Sequence, residues 1–262
     1  MNLYILKLYD RINIAKKGGQ LMKSYNIHPL RIIRLIKNID KGEMVNYFGL
    51  KPTLLNAIEA EKYYLDDAKL KEGLTALNVT LDQYYFLNNL KMALDRTELE
   101  DEEKMQCMMI TCVEVLLNPV YKDCFELLIQ LCKQKDNVGK KFCNQSILKY
   151  IRYIRYLSII EFCSLFGIPN TSMNRMERSL CNVDNETLII VLKKLNISYD
   201  NYLMLDHFQQ LLQNTHMDDE NKHLCMLYAT AKLAGSEKIL TYVDTICEFD
   251  RNLKGKRQQF KI

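Results

Sequence analysis

The sequence predicts an all-α protein, and three observations support this prediction. The 262 residues include only 9 Gly and 4 Pro, the residues that most strongly disfavour helices. Leu, Ile, Lys and Glu are abundant, which favours helices over strands. Short amphipathic segments with apolar residues at helical spacing also recur along the chain.

Composition excludes several classes of protein. A hydrophobic content of 48% is enough for one large or two small cores, which excludes collagen-like, disordered and low-complexity chains. No apolar run approaches the roughly 20 residues that a membrane helix needs, so we expect a soluble protein. Nine cysteines without a CxxC pair indicate reduced thiols. With no secretory signal visible, we expect a cytoplasmic location.

An internal repeat organises the chain. Residues 30–87 align without a gap to residues 148–205, at a constant offset of 118, and 18 of the 58 aligned positions are identical. The same offset continues further along the chain, pairing Thr97 with Thr215 and Cys107 with Cys225. The sequence therefore predicts a fused tandem duplication of a unit of about 118 residues.

The predicted boundaries follow from this repeat. Residues 1–28 form a leader, in which KKGGQLM at 16–22 back-translates to a bacterial ribosome-binding site before an ATG codon. Our hypothesis is that translation begins at Met22, and the alternative is a genuine basic N-terminal helix. The remaining predicted segments are a head at 29–88, a helical packing segment at 89–139, a second head at 140–206, a second packing segment at 207–252 and a basic tail at 253–262.

In the first head, the sequence predicts short helices separated by turns. The first helix begins at about Leu30 and ends near Asn38. Asp40 can cap a second helix, and Gly49 then permits the positive φ angle of a tight corner. Residues expected to face inward from these two helices are Ile33, Ile36, Met44, Val45 and Phe48.

The third helix of the first head is predicted to start at Pro52, where a missing N–H costs nothing. Leu55 and Ile58 are expected to face inward, whereas Thr53, Asn56, Ala57 and Ala60 are expected to face outward. A fourth helix carries Leu70, Leu74 and Leu77 and is closed by Asn78 and Val79. A last short helix is predicted from Asp82.

The second head and the packing segments follow the same pattern. Ser158 is the expected cap and Gly167 the expected corner of the second head. Its expected inward residues are Phe162, Cys163, Phe166, Met173, Met176, Leu188, Leu192 and Leu195. In the packing segments, Thr97 and Thr215 are predicted to cap a further helix, and Met105, Met108 and Met109 are predicted to lie in the core.

Each repeat carries two motifs. The first is MVNYFGLKPTLLNAIEAE at 44–61 and FCSLFGIPNTSMNRMERS at 162–179, and the second is LKEGLTALNVTLDQYYFL at 70–87 and LIIVLKKLNISYDNYLML at 188–205. These motifs resemble the XRE family of phage-repressor-like (Cro-like) helix-turn-helix domains, with patterns LAxxxGVSxxxISxxExG and LxxLAxxLxVSxDxL. The chain departs from the family at Val45 and Cys163, where Ala is usual. It also departs at Glu61 and Ser179, where Gly is usual, so we expect the loop after the third helix to differ from that of the family.

The resemblance implies two tandem helix-turn-helix domains that bind double-stranded DNA, each followed by packing or dimerisation helices. Such domains place the second helix of the motif in the major groove. Alignment with the family gives these base-reading positions: Lys51, Thr53, Asn56, Asn170, Thr171, Asn174, Arg175 and Arg178. Because Asn pairs with adenine and Arg with guanine, we expect the second head to specify the sequence and the first mainly to anchor.

Charged residues complete the predicted interface. The expected phosphate contacts are Arg31, Lys37, Lys41, Lys62, Lys149, Arg155 and, in the tail, Lys254, Lys256, Arg257 and Lys261; the alternative for each is a solvated surface charge. Arg34 with Glu59, and Arg152 with Glu177, match an ion pair of the family that ties the first helix to the recognition helix. The net charge is only +4, so the acidic segment 98–104 is expected to face away from DNA.

Other chemistry is not predicted. No usual zinc spacing is matched by His207, His216, His223 and Cys225. No phosphate loop, paired-carboxylate site or nucleophile elbow is found either. We therefore expect no metal, no cofactor and no enzyme activity.

The sequence predicts a transcriptional regulator, a repressor from a mobile element or a low-GC bacterium. It would use its two heads in successive major grooves, as a homodimer or an intramolecular pseudo-dimer. The alternative is a protein-interaction module on the same fold, an antitoxin or a phage-encoded inhibitor, with a protein partner and DNA binding secondary.

Overall fold

The structure is a computed structural model that describes residues 28–134, 146–178, 180–181 and 183–259. The predicted leader up to residue 27, including Met22, and the tail residue Lys261 lie outside the described residues, as do the side chains of Lys254, Lys256 and Arg257. The described residues are helices joined by turns and loops, with no strand among them, which confirms the predicted all-α class.

The described helices fall into two series that follow the repeat. The first series consists of α1 (Pro29–Ile36), α2 (Lys41–Phe48), α3 (Pro52–Glu59), α4 (Asp67–Ala76), α5 (Leu81–Leu94), α6 (Asp101–Leu116) and α7 (Pro119–Gln134). The second consists of α8 (Ser146–Ile154), α9 (Ile159–Phe166), α10 (Asn170–Glu177), α11 (Asn185–Lys194), α12 (Tyr199–Gln213), α13 (Asp219–Ala234) and α14 (Glu237–Gln259). Each helix from α2 to α7 begins 118 residues before its counterpart.

The chain divides into two compact units between Met108 and Met109. This division lies within α6, inside the segment 89–139 predicted to pack after the first head. Both methionines are buried, as is Met105, which confirms their predicted place in the core.

In the first unit, α2 packs against α3 and α4, and α5 packs against α1 and α4. The core is formed by the predicted apolar positions, including Ile33, Met44, Phe48, Leu55 and Leu74. Val45 is only half-buried, because it lies at the margin of this core. Gly73 of α4 lies directly under the Phe48 ring: a Cβ atom there would be 2.3 Å from the ring, so α2 and α4 approach closely only because Gly73 has no side chain.

In the second unit, α8 packs on α10 and α13, α9 packs on α10 and α11, and α7 and α13 both pack on α12. Phe125 of α7 makes edge-to-face contacts with Phe208 and Tyr228, with ring centroids 5.4 and 5.1 Å apart. Among the residues predicted to face inward, Leu195, the C-cap residue of α11, is only half-buried, whereas its counterpart Leu77, the C-cap residue of α4, is buried.

An ion-pair cluster adds to the packing of the second unit. The carboxylate of Glu114 contacts the ammonium groups of Lys122 and Lys232, at 2.9 Å each, and Lys232 also contacts Asp244 at 3.0 Å. Burial lowers the pKa of Lys232, but the nearby charge and hydrogen bonds of Glu114 and Asp244 outweigh burial and raise it above its ordinary value. These contacts connect α6, α7, α13 and α14.

Several predicted local signals are present in both units. Asp40 and Ser158 each form a capping box, with Glu43 and Glu161 respectively, at the start of α2 and α9. Gly49 and Gly167 end these helices in the left-handed region, with φ of 55° and 66°. The caps predicted at Asp40 and Ser158 and the corners predicted at Gly49 and Gly167 are therefore confirmed.

Two local predictions are wrong. The helix predicted from Asp82 is present as α5, which is capped by Thr80 and begins one residue earlier, at Leu81, but it has 14 residues and is not short. Thr97 and Thr215 do not cap a following helix: their hydroxyls donate to the carbonyls of Leu94 and Leu212, both at 2.7 Å. Asp218, three residues after Thr215, caps α13 instead. The N–H of Glu100, three residues after Thr97, donates to the carboxylate of Glu103 at the start of α6. Asp218 and Glu100 take part because each directly precedes the first residue of a helix.

None of the described helices is long and apolar enough to cross a membrane.

Candidate nucleic-acid interface

The candidate interface is built on the same helix pair in each unit, α2 with α3 and α9 with α10. In both pairs, a glycine in the left-handed conformation ends the first helix, and the second helix begins three residues later. Only glycine adopts this backbone conformation without a steric penalty. The turn therefore sets the direction of the second helix, whose inner face is anchored in the core by Leu55 and Ile58 in the first unit and by Met173 and Met176 in the second.

The outer face of α10 is polar. Five predicted base-reading residues are exposed on it or at its ends: Asn170, Thr171, Asn174, Arg175 and Arg178. Thr171 lies three and four residues before Asn174 and Arg175, and Arg178 lies four and three residues after them, so the four residues lie on one side of the helix. This side presents two guanidinium groups and an amide, and Asn170 adds a second amide at the first helical position.

The outer face of α3 is less polar. Lys51, Thr53 and Asn56 are exposed, Ala60 is exposed without a polar group, and Ala57 is half-buried. Pro52 occupies the first helical position, so no backbone N–H is available there. The structure therefore places the predicted readers of the first unit on the surface, but with fewer groups that can bind a base edge.

The amide of Asn56 is already engaged in the first unit. The ammonium of Lys41 donates to Asn56 Oδ1 at 2.6 Å and lies 4.0 Å from Glu59 Oε2. Because an ammonium has only donors, it must face the amide oxygen, which leaves the NH₂ group of Asn56 for other acceptors. At the position that matches Lys41, the second unit has Ile159, so no equivalent lysine can engage Asn174.

A buried ion pair holds each outer helix. Arg34 binds both carboxylate oxygens of Glu59 at 2.8 and 3.3 Å, and Arg152 binds both carboxylate oxygens of Glu177 at 2.5 and 2.9 Å. These pairs connect α1 to α3 and α8 to α10. The bidentate geometry fixes the orientation of each helix more firmly than a single contact would.

The residues predicted to contact phosphates have different surroundings. Lys41 and Lys62 are exposed, while Arg31, Lys37 and Lys149 are half-buried, the ammonium of Lys149 lying 5.5 Å from the Tyr153 ring centroid. Arg155 donates to the carbonyl of Leu195 at 2.7 Å, and burial lowers the pKa of its guanidinium. This contact joins the ends of α8 and α11, so it gives Arg155 a part in the fold.

Several surface residues near α3 are not among the residues predicted from the sequence. Tyr63 and Tyr64 are exposed in the loop after this helix, and Tyr47 is exposed on α2. Glu61 adopts the left-handed conformation, with φ of 58°, and forms an ion pair with Lys91. In the sequence, the signal for this loop is the Glu at 61, where the family usually has Gly. The structure shows that Glu61 adopts the backbone angle that the usual Gly favours. Its counterpart in the second unit, Ser179, lies outside the described residues.

The residues considered for zinc are not brought together into a site. His223 Nδ1 lies 3.3 Å from the Tyr150 hydroxyl, and no group of three or more metal-binding side chains occurs in the part of the chain that the structure describes.

Comparison of the chain with protein-family models, with curated proteins and with solved structures gives no match.

Proposed function

We propose that this protein is a sequence-specific, double-stranded DNA-binding regulator, a repressor, with two non-identical helix-turn-helix heads. The observation that carries the proposal is the outer side of α10. Its amide and guanidinium groups are exposed, while the opposite side of the helix is buried and tied to α8 by the Arg152–Glu177 pair. A helix whose backbone is fixed in this way can present its outer side chains to the base edges of the major groove.

The two heads would contribute differently to DNA binding. Arg175 and Arg178 offer the bidentate donors that recognise guanine O6 and N7, and Asn170 and Asn174 offer the amides that recognise adenine. In the first unit, Lys51 and Thr53 are the exposed polar groups at the start of α3, and Asn56 is held by Lys41. We therefore expect the second head to dominate sequence preference and the first to add affinity.

The proposal is tested by selecting bound duplexes from a random DNA library. The wild type is compared with Arg175→Ala, with Lys51→Ala and with the control Lys193→Ala, which removes an exposed cation from α11 outside the α9–α10 pair. We expect an enriched motif that loses preference at one or more positions in Arg175→Ala only. Lys51→Ala should weaken binding with little change of motif. Absence of any enriched motif at low salt, where phosphate contacts are strongest, would overturn the proposal.

The second candidate function is a protein-interaction module on the same fold. It is favoured by four exposed apolar residues of the second unit: Ile160, Leu180, Ile189 and Ile190, which are between 46 and 65% exposed. The first unit has Gly42, Lys62, Lys71 and Glu72 at the matching positions, so these four apolar side chains have no counterpart there. A contiguous apolar patch on a surface marks a site of protein interaction, and replacing all four residues tests whether they belong to such a patch.

This candidate is tested with a variant that carries the residues of the first unit at all four positions: Ile160→Gly, Leu180→Lys, Ile189→Lys and Ile190→Glu. The interaction candidate predicts that a partner captured from the source cells by the wild type is lost by this variant, while any selected DNA motif is retained. A partner retained equally by both proteins would exclude this surface as its binding site.

A further inference from the structure

The first unit contains an open cavity beside the turn between α2 and α3. Its volume is about 300 Å³, at the lower end of cavities that hold small molecules. Its apolar walls are Leu50, Leu54 and Leu65, with the exposed ring of Tyr63 at one side. These residues come from the turn, from the first turn of α3 and from the loop before α4, so three chain segments form one cavity.

Two lysines are among the residues that line this cavity. Lys51 precedes α3 and Lys69 lies in the first turn of α4. Lys69 Nζ lies beside the turn, because a Cβ atom built on Gly49 would be 3.9 Å from it. Within the described part of the chain, neither ammonium has a carboxylate at ion-pair distance, in contrast to Lys91, Lys122 and Lys232.

Among the residues that line the cavity, Asp66 has the one carboxylate, and this carboxylate already accepts a backbone hydrogen bond. Its Oδ1 accepts the backbone N–H of Lys69 at 2.8 Å and so caps α4. Two cations and one capping carboxylate leave the cavity with an excess positive charge. Cations without a carboxylate partner next to an apolar wall are suited to an anion that also has an apolar part.

We propose that this cavity binds a small organic anion, with its acidic group between Lys51 and Lys69 and its apolar body against Leu50, Leu54, Leu65 and Tyr63. The second unit cannot form the same site. At the positions that match Lys51, Tyr63 and Lys69 it has Pro169, Cys181 and Thr187, so both cations and the aromatic ring are absent. The site therefore belongs to the first unit alone.

Occupancy of the cavity has a consequence for DNA binding, and this part rests on the proposed function. Lys51 is one of the residues that we propose to contact DNA, and an anion bound to it would neutralise its charge. The ligand would therefore weaken the contribution of the first head, as an effector that releases the protein from its site.

Binding is tested without DNA, by titrating the full-length protein with benzoate and following backbone amides by nitrogen–proton NMR. We expect saturable shifts confined to residues 49–54 and 63–69. Inorganic phosphate, which has charge without an apolar body, and benzamide, which has the apolar body without charge, should each bind at least about tenfold more weakly. The variant Lys51→Met/Lys69→Met should weaken benzoate binding by about tenfold or more, and the control Lys71→Met, an exposed lysine of α4 outside the cavity, should not.

Each contrary result overturns the proposal. Shifts that are absent at saturating benzoate, that spread over the surface or that persist in Lys51→Met/Lys69→Met would show that the cavity is not the site. Equal binding of phosphate or benzamide would refute the stated chemistry. The regulatory part is tested separately, by measuring the affinity of the protein for the selected duplex with and without benzoate. The proposal predicts a lower affinity with benzoate, and an unchanged affinity would refute the regulatory part. Failure of the proposed function would remove that complex and leave the NMR titration unaffected.

Discussion

Glu59→Gln should destabilise the first unit by about 3 kcal/mol, because it leaves Arg34 buried beside a neutral amide. The side chains of Arg34 and Glu59 are 11 and 7% exposed and share two hydrogen bonds. Breaking a buried pair by removing one partner costs about 3–5 kcal/mol, and the low end applies here because glutamine keeps one acceptor oxygen. Lys41, 4.0 Å from Glu59, also loses its attraction to the carboxylate.

The matching change in the second unit should cost less. Arg152 also contacts the carbonyl of Leu157 at 3.4 Å and lies 4.9 Å from the centroid of the Tyr153 ring. These contacts remain in Glu177→Gln, so the arginine keeps part of its stabilisation. We expect a loss of about 2 kcal/mol for this variant.

The assay is urea unfolding followed by circular dichroism, arranged as a double-mutant cycle with Arg34→Met, Glu59→Leu and the double variant. Each single change leaves one buried charge, whereas the double variant leaves none, so it should be more stable than the sum of the single effects predicts by about 2–3 kcal/mol. Glu102→Gln, an exposed carboxylate at the start of α6, serves as the control and should change stability by less than about 0.5 kcal/mol. Additive single effects, with no coupling energy, would refute the claim that this pair holds α1 and α3 together.

Three further predictions concern local structure. Burial lowers the pKa of His28 from 6.5 to about 4, so the unfolded chain binds a proton at this residue more readily than the folded protein does. The resulting contribution to the free energy of unfolding, about 3 kcal/mol, is fully present above pH 6.5 and is lost as the pH falls toward 4. The variant His28→Asn, which retains the cap on Leu30, should remove this pH dependence from unfolding curves at pH 7 and pH 4. Gly73→Ala should lower stability by about 1–3 kcal/mol in urea unfolding, because the clash with the Phe48 ring outweighs the gain of about 1 kcal/mol in helix propensity, and a more stable variant would contradict this packing. Gly167→Ala should cost about 1–2 kcal/mol from the positive φ alone, since no atom lies within 4 Å of the added Cβ, and an unchanged denaturation midpoint would contradict this assignment.

The fold could be predicted from the sequence wherever a structural feature is caused by residues that are close together in the chain. Asp40 and Ser158 act as caps because an oxygen three residues before a Glu can bind backbone N–H groups directly. Gly49 and Gly167 mark corners because their backbone freedom is a property of the residue itself. The repeat strengthened each of these predictions, since the same signal occurs twice at an offset of 118.

The remainder depends on contacts between distant segments, which sequence pattern does not reveal. The sequence pattern predicts a phosphate contact for Arg155 and gives no sign that its guanidinium donates to the carbonyl of Leu195, 40 residues away. Asn56 was expected to read bases, and Lys41, 15 residues earlier, binds its amide oxygen. The cavity beside Gly49 likewise forms only when α4 is folded against the turn. The exposure of Arg175 on α10 agrees with helical spacing, while base reading by this residue stays a prediction.

The most direct test of the central claim is equilibrium binding of the wild type, measured by fluorescence anisotropy at physiological salt. The duplex most enriched by selection is compared with the same duplex in scrambled order. Sequence-specific binding predicts an affinity ratio of about 10³ or more. Equal affinity for both duplexes, with the same salt dependence, would show that the protein contacts only the phosphate backbone and would contradict the account.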